Sequence, residues 1–292
     1  MSNNKLITKN ERIFIAGARG MAGSAILRKL KNAGYGEKEN SGEFLIPDRE
    51  ELDLLDSQQV KLWFQKNRPT VVILAAAKVG GILANSIQPA DFLLNNIKIQ
   101  TNVIENAFIN DVKRFLFLGS SCIYPKFAKQ PISEESLLTD SLEETNQWYA
   151  IAKIAGIKLC ESLRIQYGFD AISLMPTNLY GPGDNYEEER SHVLPALIKR
   201  FYEAKKNNTK SVTCWGSGSP LREFLHTDDL GDACLFVLER WKPDINETQF
   251  LNVGTGLDIT IKELAENIAE IINYKGEIIW DKNKPDGTYK KQ

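Results

Sequence analysis

The chain has 292 residues, 42% of them hydrophobic and 25% charged, with 36 basic against 38 acidic side chains. That length sustains one large α/β domain or a domain with a smaller companion, and the near-neutral balance argues against a nucleic-acid partner. No apolar run reaches the roughly eighteen residues of a transmembrane helix, and the polar segment Met1 to Asn10 lacks the apolar core of a secretory signal.

Arg12 to Ala16 is a short apolar run that opens on Gly17. Ala22, Ala25, Ile26, Leu30 and Ala33 then recur on one helical face. Phe44 to Ile46 reads as a second strand, and Ser57 as the cap of a helix carrying Val60, Leu62, Trp63 and Phe64. Val71 to Ala75 is continuously apolar, as for a strand covered on both faces. A long helix is predicted from Ala90 to Phe108, strands at Phe115 to Leu118 and Ala171 to Leu174, and between those strands a helix from Tyr149 to Tyr167. The alternation predicts an α/β, doubly wound parallel sheet of Rossmann-like type.

The pattern changes after Pro176. Tyr180 to Asp184 is a breaker-rich loop, followed by a helix from Leu194 to Lys205 and a strand at Ser211 to Cys214. Thr227-Asp228 reads as the cap of a helix with Leu230, Ala233, Leu235 and Val237 inside. A strand at Phe250 to Val253, a helix from Thr260 to Ile272 and a strand-like run at Glu277 to Trp280 complete the series. The expected division is a nucleotide-binding domain over 1–176 and a smaller substrate lobe over 177–292, with 226–254 returning to the first domain. The chain stops twelve residues after Trp280 without a closing helix, which reads as a truncated or partly ordered end.

Gly17-Ala18-Arg19-Gly20-Met21-Ala22-Gly23 joins the first strand to the first helix. Glycines there permit the turn, and the helix N-terminus offers amides to a pyrophosphate. An acidic residue after the second strand favours NAD and arginine favours NADP. Arg19 and Arg49 outweigh Asp48 in this reading and point to NADPH/NADP.

Tyr149-x-x-x-Lys153 places a phenol and an ammonium one helical turn apart, on one face. The expected role of the lysine charge is to lower the tyrosine pKa and to hold the nicotinamide ribose. Ser120, after the strand ending at Leu118-Gly119, would donate to a carbonyl oxygen, with Ser121 beside it at the cofactor. Cys122 follows two residues later; in extended chain it points to the same side as Ser120. His192 stands at a helix start after the breaker-rich loop. Cysteines are more often small buried hydrophobes and single histidines more often structural, so the residues alone leave both roles open. Only His192 and His226 exist, which excludes a multi-histidine metal site. Cys122, Cys160, Cys214 and Cys234 are widely spaced with no Cys-x-x-Cys pair. That disfavours disulfides and zinc and fits a reducing, cytoplasmic compartment.

Nine stretches carry a resemblance: Gly17 to Ser24, Ala75 to Ile82, Leu118 to Lys126, Tyr149 to Ser162, Met175 to Pro182, Ser191 to Ala196, Trp215 to His226, Asn252 to Gly256 and Lys284 to Thr288. Gly-Ser-Ser-Cys-Ile-Tyr-Pro-Lys and Lys-Pro-Asp-Gly-Thr are the most specific of them. The chain resembles the GDP-L-fucose synthases, bifunctional epimerase-reductases among the extended short-chain dehydrogenase/reductases. The resemblance implies the substrate GDP-4-keto-6-deoxy-mannose and the cofactor NADPH. It implies reduction at C4 by Ser120, Tyr149 and Lys153, and proton movement at C3 and C5 by Cys122 and His192. It further implies that Arg200 and Arg222 bind the diphosphate, and that Trp215, Asp286 and Lys291 line the nucleotide-sugar site. On the cofactor side, Arg19 and Arg49 would meet the 2′-phosphate, while Pro176, Thr177, Asn178, Leu179 and His192 would line the nicotinamide. A homodimer through a four-helix bundle, using the helices near 90–108 and 149–167, is also implied. Two departures are evident: Gly34 to Glu43 is a longer surface loop, and about thirty further residues are expected after Gln292. The rival readings are a reductase or epimerase of a related GDP-heptose or GDP-dideoxyhexose, and a dinucleotide-binding sensor without catalysis.

Overall fold

A computed structural model describes residues 5–187, 191–284, 286 and 289–291, with the backbone alone for Ile82 and Lys291. The first half alternates strand and helix: β1 (Arg12–Ala16), α1 (Met21–Asn32), β2 (Glu43–Leu45), α2 (Ser57–Asn67), β3 (Val71–Leu74), α3 (Ile82–Ile87), α4 (Pro89–Ile109), β4 (Arg114–Leu118), α5 (Gln147–Tyr167) and β5 (Ala171–Pro176). The second half runs β6 (Asn178–Tyr180), α6 (Val193–Lys206), β7 (Ser211–Trp215), β8 (Leu221–His226), α7 (Thr227–Arg240), β9 (Phe250–Val253), β10 (Asp258–Thr260), α8 (Ile261–Ile272), β11 (Glu277–Asp281) and β12 (Lys290–Lys291).

Six strands form one parallel sheet in the order β2-β1-β3-β4-β5-β9. Strand side chains alternate between faces. Phe14, Val72, Leu74, Phe115 and Phe117 pack with α2, α4 and α5. Ile13, Ile15, Val71, Ile73, Leu116 and Leu118 pack instead with α1 and α7. Burial on both faces is why these strands read as unbroken apolar runs. Sheet order reverses around β1, so the crevice at the carboxyl ends of β1 and β3 is where a doubly wound sheet takes a ligand.

The remaining strands form two small sheets, with β8 paired to β6, β10 and β12, and β7 paired to β11. A separate core beneath them joins Leu197 and Phe201 of α6 to Leu264, Ala265 and Ile268 of α8.

Several sequence expectations shift. Asp56, not Ser57, caps α2, accepting from the Gln58 and Gln59 amides at 2.9 and 3.0 Å. His226, not Thr227-Asp228, caps α7, its Nδ1 accepting from the Asp228 amide at 3.2 Å. In both cases the residue before the expected cap holds the extended backbone a cap requires. The long helix expected from Ala90 is preceded by the short α3, and β2 lies one residue earlier than expected. Thr260 does cap α8, in a reciprocal capping box with Glu263. Strands β6, β8, β10 and β12 are short, half-buried or rich in charge, and their period-two signal is too weak to read. Among the described residues no helix is long and apolar enough to cross a membrane.

One buried ionic cluster locks α5 and α7 to the sheet. Arg114, 1% exposed, pairs with Asp170, which also takes Arg164 Nη1 at 2.7 Å. The two guanidiniums further donate to the carbonyls of Val237 at 2.8 Å and Pro243 at 2.7 Å. Asp170→Asn leaves two enclosed cations without their anion and is expected to cost about 3–5 kcal/mol in urea unfolding; a loss below about 1 kcal/mol would remove the cluster from the account of stability.

Candidate active site

The loop from β1 to α1 is built for close backbone approach. Gly17 has φ +87°, and a Cβ there would lie 2.8 Å from the Ala76 nitrogen. A Cβ on Gly23 would lie 2.1 Å from the Gly17 oxygen, so that glycine lets the helix start against the loop. Gly20 caps α1 with extended backbone and no side-chain bond, which leaves first-turn amides of α1 for an anion. Ala18 is buried beneath them, Met21 and Ala22 are half-buried, and Arg19 stands 76% exposed at the rim. These residues fit a dinucleotide pyrophosphate. Asp48 is occupied: its carboxylate accepts from the Glu50 and Glu51 amides at 3.0 and 2.9 Å and faces Arg19 at 3.6 Å. Its pKa is lowered, chiefly by the Glu51 amide. The acidic residue that would favour NAD therefore serves its own loop, while Arg49 beside it is exposed.

At the carboxyl end of β4, Gly119 donates its amide to the Leu174 carbonyl at 2.9 Å. A Cβ on Gly119 would meet Met175 Sδ at 2.3 Å, so the turn into Ser120 passes close over β5. Residues 121–123 then coil into one turn of 3-10 helix rather than continuing extended. The Ser120 Oγ causes this, accepting the Cys122 amide at 3.2 Å. Side-to-side alternation therefore does not place the sulfur; the turn does, beside Ser120.

Lys153, 3% exposed, donates from Nζ to the Leu118 carbonyl at 2.7 Å. Its ammonium lies 5.8 Å from the Tyr149 ring centroid. Burial pushes Lys153 down to about 7. Burial also pushes Tyr149 up, the neighbouring Cys122 adds to the rise, and a hydrogen bond with Ser120 opposes it. The expected lowering of the tyrosine pKa by the lysine charge is thus reversed, because burial is the largest influence on both groups. At neutral pH Tyr149 is a protonated phenol. Ser120, Cys122, Tyr149 and Lys153 form one contiguous set.

Beyond them, Pro176 ends β5 opposite Val253. Thr177 donates its amide to the Val253 carbonyl at 3.0 Å, and Asn178 its Nδ2 to the Glu223 carbonyl at 2.8 Å. Leu179 packs on the α1-side core. Ser121 is half-buried and lines a small cavity with Cys122. His192 arrives from the other lobe as the exposed N-cap of α6, close enough to Asp184 to oppose the burial that raises that carboxyl.

Arg222 of β8 reaches the same region. Its pKa is lowered by burial and drawn back up by Cys122, then by Asp286 and Glu143. It donates to the Leu221 carbonyl at 2.7 Å and the Asp286 carbonyl at 3.4 Å. The Asp286 carboxylate holds the turn after β7, accepting from Ser217 amide and hydroxyl at 2.7 and 2.8 Å. Trp215 is 47% exposed, with Arg200 at 5.9 Å and Lys284 at 5.2 Å from its ring. Arg200 also donates to the Thr213 carbonyl at 2.8 Å. The Lys291 backbone pairs with Arg222; its side chain, with Pro285, Gly287 and Thr288 of the matched tail, lies outside the described residues. Asn146, whose amide donates to the Cys122 sulfur at 3.6 Å, was missed by sequence reasoning.

Residues 13–254 match the NAD dependent epimerase/dehydratase family. GDP-L-fucose synthase 1 of Arabidopsis thaliana is 56% identical over 283 residues, 97% of this chain and 84% of that protein. The GDP-6-OMe-4-keto-L-xylo-heptose reductase of Campylobacter jejuni superposes with a TM-score of 0.87 at 35% identity, over 98% of this chain and 90% of that one. A GDP-L-fucose synthetase from Naegleria fowleri bound to NADP gives 0.87 at 28% identity, over 100% and 88%. The glycine loop, the serine–tyrosine–lysine set and this likeness agree: the chain belongs to the NAD dependent epimerase/dehydratase family, in its GDP-L-fucose synthase branch.

Proposed function

We propose that this chain converts GDP-4-keto-6-deoxy-D-mannose to GDP-L-fucose, with epimerisation at C3 and C5 followed by NADPH-dependent reduction at C4. The observation that carries the reading is a thiol set directly against a serine–tyrosine–lysine network, with the half-buried Arg222 in electrostatic reach of it.

The C4 carbonyl oxygen takes hydrogen bonds from Ser120 and Tyr149. Those bonds stabilise the enolate formed when a proton leaves C3 or C5. Inversion requires removal of a proton from one face and its return on the other, so two groups are needed. Cys122 and His192 supply them. Gly17 to Gly23, with Arg19 and Arg49 for the 2′-phosphate, would hold NADPH, which would supply the hydride for C4. Tyr149, held protonated by burial, then gives its proton to the C4 oxygen. Lys153 orients the ribose and electrostatically balances the phenolate left behind.

Arg222 and Arg200 bind the diphosphate as bidentate donors, and Trp215 stacks against the nucleotide. The heptose-reductase reading is less well supported, because a reductase alone has no use for Cys122 and His192. The dimer forms through paired α4 and α5, a reading supported by Leu94, Ile151 and Ile165 standing 52%, 39% and 57% exposed on them.

In heavy water with NADPH, Tyr149→Phe is expected to lower reduction, followed at about 340 nm, by about a thousandfold, within the range for a lost general acid. NMR of the recovered sugar should still show deuterium at C3 and C5. Cys122→Ser is expected to abolish that exchange first; a wild-type exchange rate would end its assignment.

The second test is pH-dependent stability. Between about 7 and the ordinary lysine value of 10.5, the unfolded chain holds the Lys153 proton and the cofactor-free folded chain does not. Stability therefore rises with pH across that window, by up to about 1.4 kcal/mol per unit relative to Lys153→Met. Parallel stability curves for the two proteins would show that Lys153 keeps its proton in the folded state.

A further inference from the structure

We propose that Asn146 is a positioning residue for Cys122, its amide N–H holding the sulfur and favouring the thiolate. The inference rests on the assignment of Cys122 to proton transfer made above. Asparagine at a helix N-cap ordinarily accepts an amide of the first turn, a bond worth about 1 kcal/mol. Asn146 is the N-cap of α5, yet its side chain caps nothing. Its Nδ2 instead lies 3.6 Å from Cys122 Sγ. Its Oδ1 is buried without a protein partner.

Both halves of the amide are accounted for at this spot. Cys122, Asn146, Glu143 and Lys290 line a cavity of about 20 Å³. That volume takes one water, the partner a buried amide oxygen needs. With the oxygen on water, the N–H is left for sulfur. The capping bond given up is the kind of local rule a sequence breaks where a site requires it.

The cation and the helix terminus beside the sulfur act in the same direction, against one acid at the cavity. Arg222 faces it from β8, and Tyr149 faces it from α5 as a neutral phenol. Glu143, the nearby acid, is held by Lys126 at 3.2 Å, and the first turn of α5 carries no acidic residue. Lys290 also lines the cavity, its ammonium paired with Asp258 at 2.8 Å. A helix N-terminus, a guanidinium and an amide donor each favour a thiolate over a thiol.

The test is the pH profile of Cys122 alkylation by iodoacetamide in the full chain. Cys160, Cys214 and Cys234 are 2%, 1% and 0% exposed, so one thiol reports. Asn146→Ala and the near-isosteric Asn146→Asp are expected to raise the midpoint by about one pH unit, Asp the more, because it turns an anion toward the sulfur. Solvent deuterium incorporation at neutral pH should slow about tenfold in both. NADPH binding should hold, and Asn146→Ala should keep its denaturation midpoint because no capping bond is lost. If both variants keep the wild-type alkylation profile and exchange rate while Cys122→Ser loses exchange, the inference falls and the function stands. If Cys122→Ser itself exchanges normally, the assignment beneath it falls instead.

Discussion

The bond from Lys153 Nζ to the Leu118 carbonyl is the constraint around which the site is arranged. A buried amine at 2.7 Å from a strand-end carbonyl requires α5 to lie close on β4. The sequence provides for that one turn later at Gly156, where a Cβ would meet the Phe117 ring at 2.6 Å and Gln100 Oε1 at 2.9 Å. Gln100 of α4 in turn donates to the Ala152 carbonyl at 2.6 Å. The lysine's place is thus set by helix, strand and second helix together. Its low proton affinity follows from how completely they enclose it.

From that docking the rest of the reactive set follows. Tyr149 sits one turn before Lys153, and Asn146 one turn before Tyr149, so three functional side chains leave one helical face near its start. The turn at 121–123 brings Ser120 and Cys122 to meet them. On the proposed roles, Ser120, Cys122, Tyr149 and Lys153 share one helix terminus and one strand end, while His192 comes from the start of α6.

Much of this was legible in the residues, for definable reasons. Strands buried on both faces cannot hide, and Val71 to Leu74 or Phe115 to Leu118 announce themselves by continuous apolarity. Tyr149 and Lys153 are legible because their spacing is the helix repeat itself. What failed to show depends on geometry below the resolution of a pattern. Whether Asp56 or Ser57 caps α2 turns on one backbone dihedral. The path from Ser120 to Cys122 depends on a hydroxyl turning inward rather than outward. Asn146 looks in sequence like an ordinary cap, and only the direction of its amide tells otherwise. The protonation of Tyr149 was misread because spacing reports the lysine's distance but not how much water either group has lost.

Arg222 links the two lobes electrically as well as mechanically, since its charge is felt by Cys122 while its strand is held in register by β6, β10 and β12. A diphosphate seated on that guanidinium would offset the cation the sulfur sees. The sulfur's appetite for a proton would then climb at the moment a sugar arrives. Basicity would thus be conferred by occupancy, and a resting thiolate would stay a weak base toward stray ligands that bring no anion with them.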